Sequence, residues 1–262
     1  MATLVWGAIG TRKYETGLDR GVVYIDEVGF SWSGLVSVDE NPTGGEVESY
    51  YIDGVLYMNS PGIEDFGASI SAFYSPVEFD ACEGVGVSQP GFLAGQQRRK
   101  AFGLSYRTRI GNDTEAANYG YKIHLIYNAV VAPPKRGYKT QGEKIDPSLL
   151  SWDFRAKPVP IPGLMRSAHI IIDSTSAPAF GLIELENILY GTSEIDPRLP
   201  TPEEISAMFE GTSEFTVTDL GGGSFRISGS SIEVAIIDEG VYQIDSDGVT
   251  LTGPDTYEIT SP

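Results

Sequence analysis

The stretch Phe102-Gly-Leu-Ser-Tyr-Arg-Thr-Arg109 sets Phe102, Leu104, Tyr106 and Thr108 against Gly103, Ser105, Arg107 and Arg109. A second stretch, Tyr121-Lys-Ile-His-Leu-Ile-Tyr-Asn128, sets Tyr121, Ile123, Leu125 and Tyr127 against Lys122, His124, Ile126 and Asn128. A period of two is the strand period, and it predicts one apolar face turned inward and one mixed face turned outward. Phe66, Ala68, Ile70 and Ala72 repeat the pattern, as do Trp152, Phe154 and Ala156. Ala168 to Asp173 is nearly all apolar, which predicts a central strand. Two further strand-like runs, 34–40 and 49–58, flank the loop Asn41-Pro-Thr-Gly-Gly45.

Three helices carry start signals. Ser75-Pro76-Val77-Glu78 reads as a capping box with Pro at the first helical position, opening a short helix that ends before Gly84. A longer helix starts at Pro178, with Leu182, Leu185, Ile188 and Leu189 on one stripe and Gly191 as its stop. The third starts at Thr201-Pro202-Glu203-Glu204, a capping box with acids at the positive end of the helix dipole, and ends at Gly211. The stretch from Ala132 to Leu149 is long, basic and Pro-rich, a loop of the length usually kept for function.

After Gly211 the character changes. Residues 212–262 carry Glu214, Asp219, Glu233, Asp238, Glu239, Asp245, Asp247, Asp255 and Glu258 against the single base Arg226. Phe215–Thr218, Phe225–Ser228 and Ile232–Ile237 read as short strands between Gly-rich and Asp-Gly turns. The expected division is a main domain over 1–211 and an acidic all-β extension over 212–262. About 50 residues is marginal for an independent core.

The 262 residues are 41% hydrophobic, enough for a packed core. The net charge of −18 disfavours nucleic acid and anionic membranes as partners and suits a surface that must not stick to a polyanion. The single cysteine, Cys82, excludes a disulfide within the chain and reads as a buried structural thiol. Met1-Ala-Thr-Leu-Val-Trp-Gly-Ala runs into Arg12 and Lys13 without signal-peptide order, and no apolar run approaches the roughly 18 residues of a membrane span. The expectation is a protein made and folded in a reducing cytoplasm, with no membrane insertion.

Enzyme chemistry lacks parts. The only histidines, His124 and His169, sit inside strand patterns and read as structural. Asp26-Glu27, Asp39-Glu40 and Glu64-Asp65 are the adjacent pairs expected among 36 acids. Asp245-Ser-Asp247-Gly248 lacks the later calcium ligands, and Gly221-Gly222-Gly223 lacks a following helix and Lys. No catalytic, cofactor-binding or metal-binding residue is expected, and no cofactor. Arg98, Arg99, Lys100, Arg107 and Arg109 form a local positive stripe; the overall charge favours an interface that meets acids on a neighbouring copy over a nucleic-acid patch, and a solvated strand face is the plain alternative.

Several runs together resemble one family. Arg12-Lys-Tyr-Glu-Thr-Gly-Leu-Asp-Arg-Gly-Val-Val-Tyr24, Trp32-Ser-Gly-Leu-Val-Ser-Val38, Tyr50-Tyr-Ile-Asp-Gly54 and Phe102 to Asp113 are similar to runs in major tail tube proteins of long, non-contractile phage tails, especially those of actinobacterial phages. Ser151-Trp-Asp-Phe154, His169-Ile-Ile-Ile-Asp173 and Leu189 to Pro202 follow in the same order, so the resemblance covers about the first 210 residues. It implies a mainly β, tail-tube-type β-sandwich or barrel with short flanking helices, to which the small all-β C-terminal extension is added. It further implies six-membered rings stacked into a tube around a tape measure protein, with tail-tip proteins at one end and DNA passing later through an acidic lumen. The location implied is the virion tail, assembled in the host bacterial cytoplasm. On this reading the loop Asn41, Pro42, Thr43, Gly44, Gly45 and Glu46, with 132–149, contacts the adjacent ring. The alternative is a virion decoration or carbohydrate-binding β-sandwich module.

Overall fold

The computed structural model describes residues 6–140 and 147–210, together with the strand segments 216–221, 224–228, 233–238 and 241–245. β1 (Tyr14–Ile25) and β2 (Val28–Ser31) form a hairpin whose two turn residues, Asp26 and Glu27, both have positive φ. Such a turn matches the twist of the flanking strands. β3 (Leu35–Glu40) and β4 (Thr43–Gly44) follow, then β5 (Val47–Ile52) and β6 (Val55–Pro61). The run 49–58, expected as one strand, is thus a hairpin. Asp53 (φ 51°) and Gly54 (φ 78°) turn the chain back, and an Asp-Gly pair between apolar runs is the dipeptide such a turn requires.

β7 (Glu64–Asp65) and β8 (Gly67–Ala72) lead to a 3₁₀ turn at Val77–Phe79 and the one-turn α1 (Asp80–Glu83), which stops at the left-handed Gly84. The expected Ser75 capping box does not form, since no side chain caps this segment. Burial of Phe79 and Cys82 holds it in place instead. β9 (Gly86–Gln89) pairs with β10 (Phe92–Ala94), and β11 (Phe102–Asn112) with the 16-residue β12 (Ala116–Val131). β13 (Leu150–Ala156), the hairpin β14 (Val159–Ile161) and β15 (Leu164–Ser167), and β16 (His169–Asp173) complete the main strands. α2 (Ala179–Tyr190) ends at Gly191 as expected, and α3 (Pro202–Glu210) follows. The α3 capping box does form: Glu204 N–H donates to Thr201 Oγ1 at 3.3 Å, and Thr201 N–H donates to Glu204 Oε2 at 2.8 Å. Its expected stop, Gly211, lies outside the described residues. The expected C-terminal strands appear as β17 (Thr216–Gly221), β18 (Ser224–Ser228) and β19 (Glu233–Asp238), joined by β20 (Val241–Asp245). They pair antiparallel as two hairpins, while Phe215 and Ile232 lie outside the described residues.

One antiparallel sheet organises the main part, in the order β2-β1-β11-β12-β13-β8-β3, with β16 also on β12. Among the described residues the pairing runs from β2 to β3 and does not close into a barrel. Length lets β12 serve two partners on one side: β16 along Lys122–Ile126, then β13 along Ala129–Val131. The change falls at Asn128, whose φ of 50° interrupts the strand where the register with β11 also slips. Among the described residues β16 pairs with β12 alone, so the expectation of a central strand fails. Its apolar residues are explained by cover on one face: Ile170 and Ile172 pack toward the helices, and Ile171 is exposed.

The sheet folds so that its two wings share a core. Val23, Phe102, Leu104 and Ile126 from β1, β11 and β12 meet Ala68, Ile70, Trp152 and Phe154 from β8 and β13, with Phe79 and Trp32 between them. A second core lies on the other face, where Val22, Tyr24, Ile123, Leu125 and Tyr127 meet Leu185, Leu189, Ile205 and Met208 of α2 and α3. The expected mixed outward face of β11 and β12 is therefore covered along its middle. The apolar set Ile123, Leu125 and Tyr127 faces the helices, and its alternates His124 and Ile126 face the inter-wing side.

Candidate assembly interface

Asn41 to Glu46 is one leg of a two-legged stalk. Asn41 N–H donates to Gly67 O (2.8 Å), Gly45 N–H to Ile63 O (3.1 Å), and Gly62 N–H to Glu46 O (2.9 Å). Arg155 Nη1 braces Thr43 Oγ1 at 2.7 Å. Gly44 sits at φ 85° with Ile63 O only 2.3 Å from where a Cβ would stand, so any side chain there breaks the pairing of the legs. The stalk carries β5 and β6, which among the described residues pair only with each other.

That hairpin is apolar on both faces. Cross-strand partners share a face, which places Tyr50, Ile52, Val55 and Met58 on one side and Val47, Tyr51 and Leu56 on the other. With Tyr57, all eight of these side chains are 46–69% exposed. A two-stranded ribbon is marginal by itself in water, and a contiguous apolar patch of this kind marks an association surface. Two more hairpins expose apolar tips: Val87, Phe92 and Leu93 on β9–β10, and Leu164 and Met165 on β14–β15.

The five cations of the positive stripe do not form one patch with one role. Arg98 is exposed, Arg99 Nε donates to Glu83 O at 3.2 Å, and Lys100 Nζ lies 2.6 Å from Asp26 Oδ2. Arg107 grips Asp19 through two bonds of 2.6 and 2.9 Å, and Arg109 adds a third to the same carboxylate at 3.0 Å. The Arg107 guanidinium, with Arg109 behind it, holds Asp19 below the usual carboxylate range against the opposing effect of partial burial. Because the folded pKa is lowered, this contribution is complete above 3.8 and fades as pH falls through the folded value. Asp19→Asn is expected to cost about 1 kcal/mol at pH 7, with the gap to wild type in thermal melts unchanged down to 3.8 and closing only below it. A gap that stayed constant down to strongly acid pH would refute it.

Strand pairing also brings together residues that look unrelated in sequence. His124 on β12 and His169 on β16 meet with Nδ1 and Nε2 3.1 Å apart. Glu40, the last residue of β3, places Oε1 3.5 Å from His124 Nδ1 and Oε2 3.7 Å from His169 Nδ1. Tyr106 donates to Glu40 Oε1 at 2.6 Å and lies parallel to the His124 ring at 4.6 Å. Burial, reinforced by His169, pushes His124 down to about 4, and burial lowers His169 as well, against the opposing charge of Glu40. The alternation of β12 and the apolar run of β16 place both histidines on strands, but only register joins them to Glu40. Cys82 is buried as expected, with its thiol pushed up to about 12 by burial.

No family model matches the chain, and no curated protein does. Among solved structures it is similar to a chain of the anti-feeding prophage cap, the AFP tube terminating cap, at 10% identity over 66% of this chain and 97% of that one, with a TM-score of 0.34. It is similar in the same degree to the sheath/tube terminator of the extracellular contractile injection system PVC, at 10% identity, 65% and 99% coverage, and TM-score 0.34. A chain of the PVC sheath-tube complex follows at 12% identity, 59% and 88% coverage, and TM-score 0.30. Likeness this distant carries no functional argument, and the reading below rests on the chain's own residues. They describe a mainly β protein built on one large antiparallel sheet, from which apolar hairpins project.

Proposed function

We propose that this chain is a structural subunit that polymerises as stacked six-membered rings into the tube of a long, non-contractile phage tail. The observation that carries the reading is the β5–β6 hairpin: a ribbon apolar on both faces, held away from the core on a braced stalk. A second copy of the chain is the occupant that suits it, because the runs resembling tail tube proteins include Tyr50 to Gly54 at its turn. The sheet edge at β3 offers backbone groups for lateral pairing, whereas at β2 the outward Gly29 N–H is already taken by Pro197 O (2.7 Å), and ring closure removes such an open edge. Repetition along the axis then makes the tube, with Asn41–Glu46 setting the reach of the hairpin toward the next ring.

The charge of −18 suits a channel through which DNA slides without adhering. The tape measure protein and tail-tip proteins are the further partners of this reading, the virion tail its location, and 212–262 its acidic appendage. Electron microscopy of the purified protein across protein concentration and salt tests it. Hollow tubes or rings of uniform diameter are the expected result. Monomers under every condition, including with tape measure and tail-tip proteins added, would overturn it in favour of a decoration or glycan-binding module.

A further inference from the structure

We propose that Glu40, His124 and His169 form a binding site for one zinc-like divalent transition-metal ion. Their donor atoms all lie within 4.8 Å of one another, and they arrive from three different strands. Zinc-ligand bonds of about 2.0–2.2 Å require neighbouring donors roughly 3.0–3.6 Å apart. His124 Nδ1 and His169 Nε2 stand 3.1 Å apart, and Glu40 Oε1 stands 3.5 Å from His124 Nδ1. Capturing an ion exchanges the hydrogen bond between the two rings for two metal bonds. It needs rotation of side chains and no change of strand register.

The surroundings suit a metal site in three further ways. His124 presents its other nitrogen, Nε2, to Thr108 Oγ1 at 3.1 Å, an outer contact that holds the ring in place and, when Nε2–H donates to the hydroxyl, leaves Nδ1 free to ligate. Tyr106 donates to Glu40 Oε1 and so orients the carboxylate. Phe66 packs on the His169 ring at 4.8 Å, while Tyr106 lies along His124. Access is from one side. The imidazoles are 8% and 10% exposed and the Glu40 side chain 36%, so an ion enters past the carboxylate and keeps at least one position for water.

Two imidazoles with one carboxylate favour zinc, nickel or copper over magnesium and calcium, which take oxygen ligands. The consequence for the fold is a cross-link. Among the described residues β3 is an edge strand of one wing, paired only with β8, whereas β12 and β16 belong to the other part of the sheet. An ion held by Glu40 ties them together one residue before the stalk that carries the β5–β6 hairpin. It therefore stiffens the base of that hairpin.

The test uses the full chain, treated with chelator and titrated at pH 7.5 with zinc, and with cobalt for its visible absorption. Millimolar magnesium is present to occupy weak sites on the acidic surface. Saturable binding of one ion per chain, a rise in Tm, and a cobalt spectrum of mixed nitrogen and oxygen ligation are expected. Glu40→Gln, at the exposed rim, is expected to fold normally and weaken zinc binding at least tenfold. His169→Gln is expected to abolish the cobalt spectrum, with circular dichroism reporting its fold. The proposal is overturned if wild type shows no saturable zinc binding, or if binding and Tm shift are unchanged in Glu40→Gln. These measurements are made on the single chain, so they stand or fall separately from tube formation.

Discussion

Replacing Tyr51, Ile52 and Val55 together by Ser is expected to abolish tube formation and leave the subunit folded. The three side chains stand at the tip of the β5–β6 hairpin, on both of its faces, and each is more than half exposed. None belongs to either core, so the cost to subunit stability stays within about 1 kcal/mol. At an interface the arithmetic differs. Truncating a buried aromatic or aliphatic anchor costs about 2 kcal/mol or more, roughly thirtyfold in affinity, and three changes in every subunit act at every contact along a tube. Electron microscopy and light scattering on the variant, with a thermal melt as the control, decide the matter. Wild-type tubes from a well-folded variant would remove the hairpin from the assembly mechanism.

Trp152→Ala is expected to have the largest effect on the subunit itself, about 3–5 kcal/mol. Trp152 is fully buried between the wings of the sheet, with its ring edge-on to Trp32 at 5.5 Å and to Phe79 at 5.8 Å. Its indole N–H also donates to Glu83 Oε1 at 2.6 Å, and Glu83 is itself buried at the end of α1. Arg136, from the basic loop after β12, bonds the other oxygen of Glu83 and lies over the Trp152 ring. The substitution therefore leaves a cavity and removes one partner of a buried carboxylate. Urea denaturation is expected to show a lower midpoint at unchanged slope. Trp152→Phe is expected to fall between, because it restores much of the packing but still leaves Glu83 short of a donor. A loss below 1 kcal/mol in Trp152→Ala would mean that the wings are not held together through this ring.

The Trp152 cluster also explains the 132–149 loop in part. Its basic, Pro-rich composition marks it as a functional segment, and through Arg136 it reaches back to a buried acid 53 residues earlier. A basic loop docking on its own domain cannot be distinguished in sequence from one that awaits a neighbour, because the acid that decides between them is remote.

What the sequence determined by itself was local. β8, β11, β12 and β13 were legible because alternation depends on residues two apart, and α3 because its capping box joins Thr201 to a residue three positions on. Gly84 and Gly191 mark real helix ends for the same reason. Asp53-Gly54 is also a local signal, a turn dipeptide embedded in the longer apolar run 49–58 that it divides into β5 and β6. The Ser75 box failed because burial of Phe79 and Cys82 decided that segment. Tertiary structure alone decided which apolar set of β12 faces the helices, and that β16 is a branch and not a centre. It also decided that the β5–β6 hairpin is left uncovered, that Asp19 gathers Arg107 and Arg109, and that Glu40 meets His124 and His169. Each of these depends on register and on the folding of one wing of the sheet over the other. A strand's own sequence encodes that it has two faces, but what lies against each face is set by chain tens of residues away.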